Sequence, residues 1–184
     1  MQRTIIFLSG FTIPTWLAKT KYIWDDSLWK DYQKIYISSK TPISDGMVDR
    51  ELDSLCELVN RFPNVTLAGM SLGAWWAANL ASHPESKIKK MVLWTPLGDA
   101  NAYSIFNVTR RHHPTNKIPN KHNVGPHRSA LFLAKYDWIV PAHDHTPDLI
   151  TKFDPTIYKL DGGHVYQPNH KPGLLFMKDW IELD

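Results

Sequence analysis

The sequence predicts an α/β fold, a three-layer α/β/α sandwich on a mainly parallel six-stranded sheet. Short apolar runs of strand length alternate with helical patterns along the 184 residues. Runs such as Thr4 to Leu8 are continuous rather than alternating, as expected of strands covered on both faces. The crossovers between successive strands have room for helices, which parallel pairing requires.

Thr4 to Leu8, ended by Ser9-Gly10, is the first strand. Tyr22 to Tyr32 sets Tyr22, Trp24, Leu28, Trp29 and Tyr32 among charged residues at mixed helical spacings, which predicts a helix. Lys34 to Ser38 is a short second strand. Met47 to Phe62 carries Val48, Leu52, Leu55, Leu58, Val59 and Phe62 close to the three-and-four repeat of an amphipathic helix, and Pro63 closes it. Val65 to Ala68 is the third strand. It leads through Gly69 to Leu72–Ala81, whose alanines, leucine and tryptophans favour a tightly packed helix. Lys90 to Trp94, stopped by Thr95-Pro96, is a fourth strand, and Ser129 to Ala134 repeats the pattern. Thr146 to Phe153 predicts a short helix with Thr146 as cap and Pro147 near its start. Thr156 to Leu160 is the sixth strand, and the last helix, Leu174 to Trp180, begins beyond Pro172.

Composition bounds the function. Hydrophobic residues make up 43% of the chain and aromatics 12%, enough to fill the core of one domain spanning 1–184. Lys and Arg number 21 against 18 Asp and Glu, a formal charge of +3 that identifies no anionic partner, and no nucleic-acid recognition motif is present. A lone cysteine, Cys56, excludes an internal disulfide and a cysteine-cluster metal site. The apolar run at Ile5 to Leu8 is too short for a signal peptide and nothing approaches a membrane span, so the expected location is cytoplasmic. Residues 96–129, rich in Asn, His, Pro and basic side chains, form a connection longer than an ordinary loop: a small lid, a displaced helix with loops, or a partner surface.

Chemistry concentrates at Gly69-Met70-Ser71-Leu72-Gly73, between a strand and a helix. A G-x-S-x-G sequence in that context puts serine on a sharp elbow with Oγ proud of the sheet; the competing reading is a turn serine before a helix. A serine nucleophile needs a base, and His164 in Asp161-Gly162-Gly163-His164 follows the last strand. The base needs an acceptor to fix its tautomer. Asp137, after the fifth strand, is the leading acid and Asp161 the alternative. The N–H of Leu72, next to the nucleophile, and that of Phe11, after the first strand, are the candidate oxyanion donors.

In the order of these elements the chain resembles the α/β-hydrolases over nearly its whole length. The resemblance implies a small serine hydrolase, an esterase or thioesterase on a minimal six-stranded core. It assigns Ser71 as nucleophile, Asp137 as acid, His164 as base, and Leu72 and Phe11 as oxyanion donors. Two features depart from the family: Ser9 stands before Gly10 where many relatives have histidine, and the two leading antiparallel strands are missing. No cofactor is expected.

His112, His113, His122, His127, His143 and His145 match no structural zinc spacing, so no metal is expected. Trp16, Met70 and Trp138 are candidate pocket residues, although Met70 also fits beneath the elbow. Arg110, Arg111, Lys117, Lys121 and Arg128 lie in a stretch free of Asp and Glu, which would suit a CoA-linked or carrier-protein-linked acyl group. The expected partner is a small acyl ester or thioester, and the sequence leaves the oligomeric state open. The alternative is a binding or scaffold protein that keeps the fold without its chemistry.

Overall fold

The computed structural model describes residues 3–10, 13–20, 23–40, 45–97, 128–140, 146–164 and 170–183. In chain order these form β1 (Arg3–Ser9), α1 (Thr15–Ala18), β2 (Tyr32–Ser38), α2 (Asp45–Asn60), β3 (Val65–Met70), α3 (Leu72–Ala81), β4 (Lys90–Trp94), β5 (Ser129–Ala134), α4 (Pro147–Phe153), β6 (Thr156–Leu160) and α5 (His170–Glu182). The strands make a six-stranded sheet in the order β2-β1-β3-β4-β5-β6, every adjacent pair parallel. Among the described residues, this is the three-layer α/β/α architecture that the alternating pattern predicts.

Period-two alternation sorts the strand side chains onto two faces. Ile6, Leu8, Leu67, Met91, Leu93 and Leu131 pack with α2, α3 and α4 on one face. Ile5, Phe7, Ala68, Met70, Val92, Trp94 and Phe132 pack on the other with Trp24, Trp29 and α5. Rings run across this second face, with Trp94 stacked on Phe132 at 5.1 Å and Phe132 on Tyr158 at 4.7 Å. Helix α3 is buried along its whole length, which explains its alanine content: small side chains let it lie close to the sheet.

The structure departs from the sequence reading between Trp24 and Tyr32. In place of a helix over Tyr22 to Tyr32 there is one 3-10 turn, Asp26–Trp29, and β2 already begins at Tyr32. Trp24 and Trp29 both pack on Phe7, with ring centroids 5.0 and 5.6 Å away. Residues five apart on a continuous α-helix point about 140° from one another, so no such helix could aim both indoles at one ring. Asp25, at φ 45°, breaks the path between them, and the Trp29 indole N–H donates to the Trp24 carbonyl at 2.7 Å. The short α1 is a further element that propensity did not signal. Helix α5 starts before Pro172 rather than beyond it, with the proline in its first turn, where no intrahelical N–H bond is lost. Of the 96–129 connection, residues 98–127 lie outside the described residues, as does Phe11.

No helix among the described residues is long and apolar enough to cross a membrane. Cys56 is buried in α2, and burial together with the nearby Glu85 charge pushes its thiol pKa up, despite the hydrogen bond from Asn60. It therefore stays a protonated thiol with little nucleophilic character.

Asp26 ties the 3-10 turn to β2, accepting from Lys34 Nζ at 2.9 Å and from the Tyr36 hydroxyl at 2.8 Å. Burial raises its carboxyl pKa, but the Lys34 and Tyr36 hydrogen bonds and the Lys34 and Lys19 charges outweigh it, and the net direction is down. Burial and Asp26 push the Tyr36 phenol up, so it stays protonated as the donor. A carboxylate with a depressed folded-state pKa stabilises above its ordinary range, and that contribution is lost as pH falls through the depressed value. Because the pair is partly exposed, Asp26→Asn should cost no more than about 1 kcal/mol at neutral pH. Urea melts should show the gap between wild type and variant closing in acid.

Candidate active site

Strand order reverses between β1 and β3: the chain adds β2 on one side of β1 and then crosses to add β3 on the other. Such a switch opens a crevice at the carboxyl ends of the strands. Gly10, after β1, and Ser71, after β3, meet there. A Cβ on Gly10 would lie 3.2 Å from the Cβ of Ser71.

Ser71 occupies the elbow between β3 and α3 with φ 53° and ψ −120°, a conformation that an L-residue adopts only under strain. Glycines on either side make it possible. A Cβ on Gly73 would overlap the Leu8 carbonyl group and sit 2.7 Å from Ser9 O, and one on Gly69 would sit 2.6 Å from the Cα of Ala74. The first turn of α3 thus rests directly on the backbone of β1. Ser71 precedes the helix, yet its side chain makes no capping hydrogen bond. That is the observation against the turn-serine reading, because a capping serine spends its hydroxyl on the helix N–H groups. Leu72 is the first residue of α3, where an N–H has no acceptor within the helix.

His164 and Asp137 arrive from the two loops beyond β6 and β5. Adjacent strands bring the loops together, and Tyr136 N–H donates to the Gly162 carbonyl at 2.6 Å. His164 Nδ1 lies 2.7 Å from Asp137 Oδ2, both side chains almost fully buried. The other carboxylate oxygen of Asp137 accepts from the N–H groups of Ile139 at 3.0 Å and Val140 at 2.7 Å, so the carboxylate is held on both sides. This separates the two acid candidates. Asp161 is exposed and lies 3.8 Å from Lys135, while Asp137 is the residue bonded to the imidazole.

The pocket candidates divide. Met70 is completely buried in the core, beneath the elbow rather than open to a pocket. Trp16 and Trp138 are 69% and 78% exposed. Trp75, Trp76 and Trp94 are core residues. No group of three or more His, Cys, Asp or Glu among the described residues could hold a metal ion. One residue of the site escaped the sequence reading: Thr95, whose hydroxyl donates to the backbone carbonyl of His164 at 3.3 Å. In the sequence it reads only as a strand stop before Pro96.

No protein-family model matches the chain, and no curated protein sequence does. Solved structures do. The ydeN gene product of B. subtilis superposes with a TM-score of 0.71 at 15% identity, covering 97% of this chain and 98% of that one. The RedJ thioesterase of the prodiginine pathway in Streptomyces coelicolor gives 0.65 at 10%, covering 97% and 86%. An N-formylmaleamic acid deformylase of Pseudomonas putida S16 gives 0.66 at 13%, covering 100% and 90%. The chain has the α/β-hydrolase fold. At these identities the likeness concerns architecture, and the proteins that share it differ in substrate.

The close approach at Gly73 gives a direct check. In Gly73→Ala the new methyl meets backbone rather than a side chain able to turn away, so the variant should lose about 3 kcal/mol or more, in the range of severe core overpacking. Thermal or chemical melting measures it.

Proposed function

We propose that this protein is a serine hydrolase that cleaves a carboxylic ester or thioester through an acyl-enzyme intermediate. The observation that carries the reading is the buried His164–Asp137 pair, 2.7 Å apart, at the same sheet edge as a serine held at positive φ. Asp137 accepts the Nδ1 proton and so leaves the Nε2 lone pair as the basic site of the ring.

In the proposed reaction Ser71 Oγ attacks the carbonyl carbon while His164 Nε2 takes its proton. The C=O pair moves onto oxygen, where the Leu72 N–H and, by the resemblance, the Phe11 N–H stabilise the tetrahedral oxyanion. The oxyanion collapses, the bond to the leaving group breaks, and imidazolium returns the proton to the departing alcohol or thiol. Water then attacks the acyl-enzyme with His164 as base, releasing the acid and restoring the serine. Asp137 stays ionised throughout. The chemistry needs no cofactor.

An acyl ester or thioester fits this machinery because its leaving group departs with one proton from one base. A CoA-linked or carrier-linked thioester is the substrate that the basic stretch from Arg110 to Arg128 favours. A cytoplasmic setting belongs to the same proposal.

Two experiments test it. An activated fluorophosphonate should add its mass to Ser71 in the wild type, with labelling lost in Ser71→Ala and greatly slowed in His164→Ala. Turnover of short-chain esters should fall on the order of 10⁴-fold or more in Ser71→Ala. An unchanged rate in that variant removes Ser71 as nucleophile.

A further inference from the structure

Thr95 follows β4 directly, in a conformation that threonine does not adopt freely. Its φ is 40°, in the left-handed region where a β-branched side chain crowds its own backbone, and the residue is buried. Such strain persists only where neighbours over-determine it. The neighbours here are parts of the candidate site. Thr95 N–H donates to Phe132 O on β5 at 2.8 Å. The carbonyl of Trp94, one residue before, accepts the N–H of Ser71 at 3.0 Å. The N–H of Leu97, two residues on, donates to the carbonyl of Ser71 at 3.2 Å. The Thr95 hydroxyl reaches the other way, to the His164 carbonyl. One turn therefore holds both main-chain polar groups of Ser71 and the main chain of His164.

We infer that Thr95 is a positioning residue that sets where the His164 imidazole sits relative to Ser71; this rests on the serine-hydrolase reading above. His164 follows Gly162-Gly163, whose backbone has wide freedom, and Asp137 secures only the Nδ1 side of its ring. A second anchor on the main chain of the same residue fixes it at two points. Backbone conformation alone does not account for threonine at this position, since glycine would adopt φ 40° without strain. The hydroxyl is what glycine lacks, and the hydroxyl makes the bond to His164. Small displacements between nucleophile and base are costly in rate, so an anchor remote from the reacting atoms acts on turnover more than on substrate binding.

Thr95→Val keeps the β-branch and the volume but deletes the hydroxyl, whereas Thr95→Ser keeps the hydroxyl. Fluorophosphonate labelling of Ser71 in the valine variant should slow about tenfold, with kcat for an ester falling and KM unchanged, and serine should restore most of the rate. Melting temperature serves as the control for folding, and Thr95→Ala carries the same expectation should valine prove too crowded. Labelling in Thr95→Val and Thr95→Ala at the wild-type rate overturns the inference and leaves the hydrolase reading intact. A wild type that never labels at Ser71 overturns the hydrolase reading instead. The His164 Nδ1 proton, followed by NMR, then decides on its own: faster exchange with water in Thr95→Val supports the anchor, and unchanged exchange overturns it.

Discussion

Helix α3 touches the main chain of β1, and the candidate site depends on that contact. Any side chain at Gly73 would enter the space of the Leu8 and Ser9 carbonyls, and any at Gly69 would enter the first turn of the helix. With both absent, the chain turns from β3 into α3 in one residue. That residue is Ser71, forced to positive φ, with its hydroxyl not spent on the helix it precedes. The reversal of strand order places the elbow beside Gly10, and adjacency of β5 and β6 delivers Asp137 and His164 to the same edge. Topology thus gathers residues from distant parts of the sequence, and packing density sets the geometry of the serine.

Strain at this edge is balanced by burial beneath it. A non-glycine residue held at positive φ costs about 1–3 kcal/mol, and Ser71 and Thr95 stand at the ends of neighbouring strands. Burying one large apolar side chain returns about 1.5–3 kcal/mol, and α3 alone buries Leu72, Trp75, Trp76 and Leu80. The core is therefore large enough to hold two strained residues in place. Tryptophans supply much of it: Trp24 and Trp29 clamp Phe7 on one face, while Trp75 and Trp76 lie edge to face on the other.

Much of this was legible in the sequence because it rests on local patterns. The continuous runs at Thr4 to Leu8 and Lys90 to Trp94 marked buried parallel strands, and G-x-S-x-G after a strand marked the elbow. The bond between His164 and Asp137 was legible as an order of elements, although choosing between Asp137 and Asp161 needed the structure. What could not be read came from tertiary contact. The stretch from Trp24 to Trp29 has helical spacing, but both indoles must reach Phe7, which a continuous helix forbids. Trp138 lies beside the acid in sequence and yet is largely exposed, because neighbours along a chain need not share an environment. Thr95 gave no signal, since its role lies in a bond to a residue 69 positions away.

The central claim is that packing at Gly69 and Gly73 holds Ser71 in a strained, reactive geometry served by His164. A crystal structure of the protein after reaction with a fluorophosphonate tests it most directly. The account predicts phosphorus bonded to Ser71 Oγ, Ser71 at positive φ, Nε2 of His164 within hydrogen-bond distance of the adduct, and the Nδ1 bond to Asp137 intact. A Ser71 at ordinary helical φ, or an adduct on another residue, would contradict it.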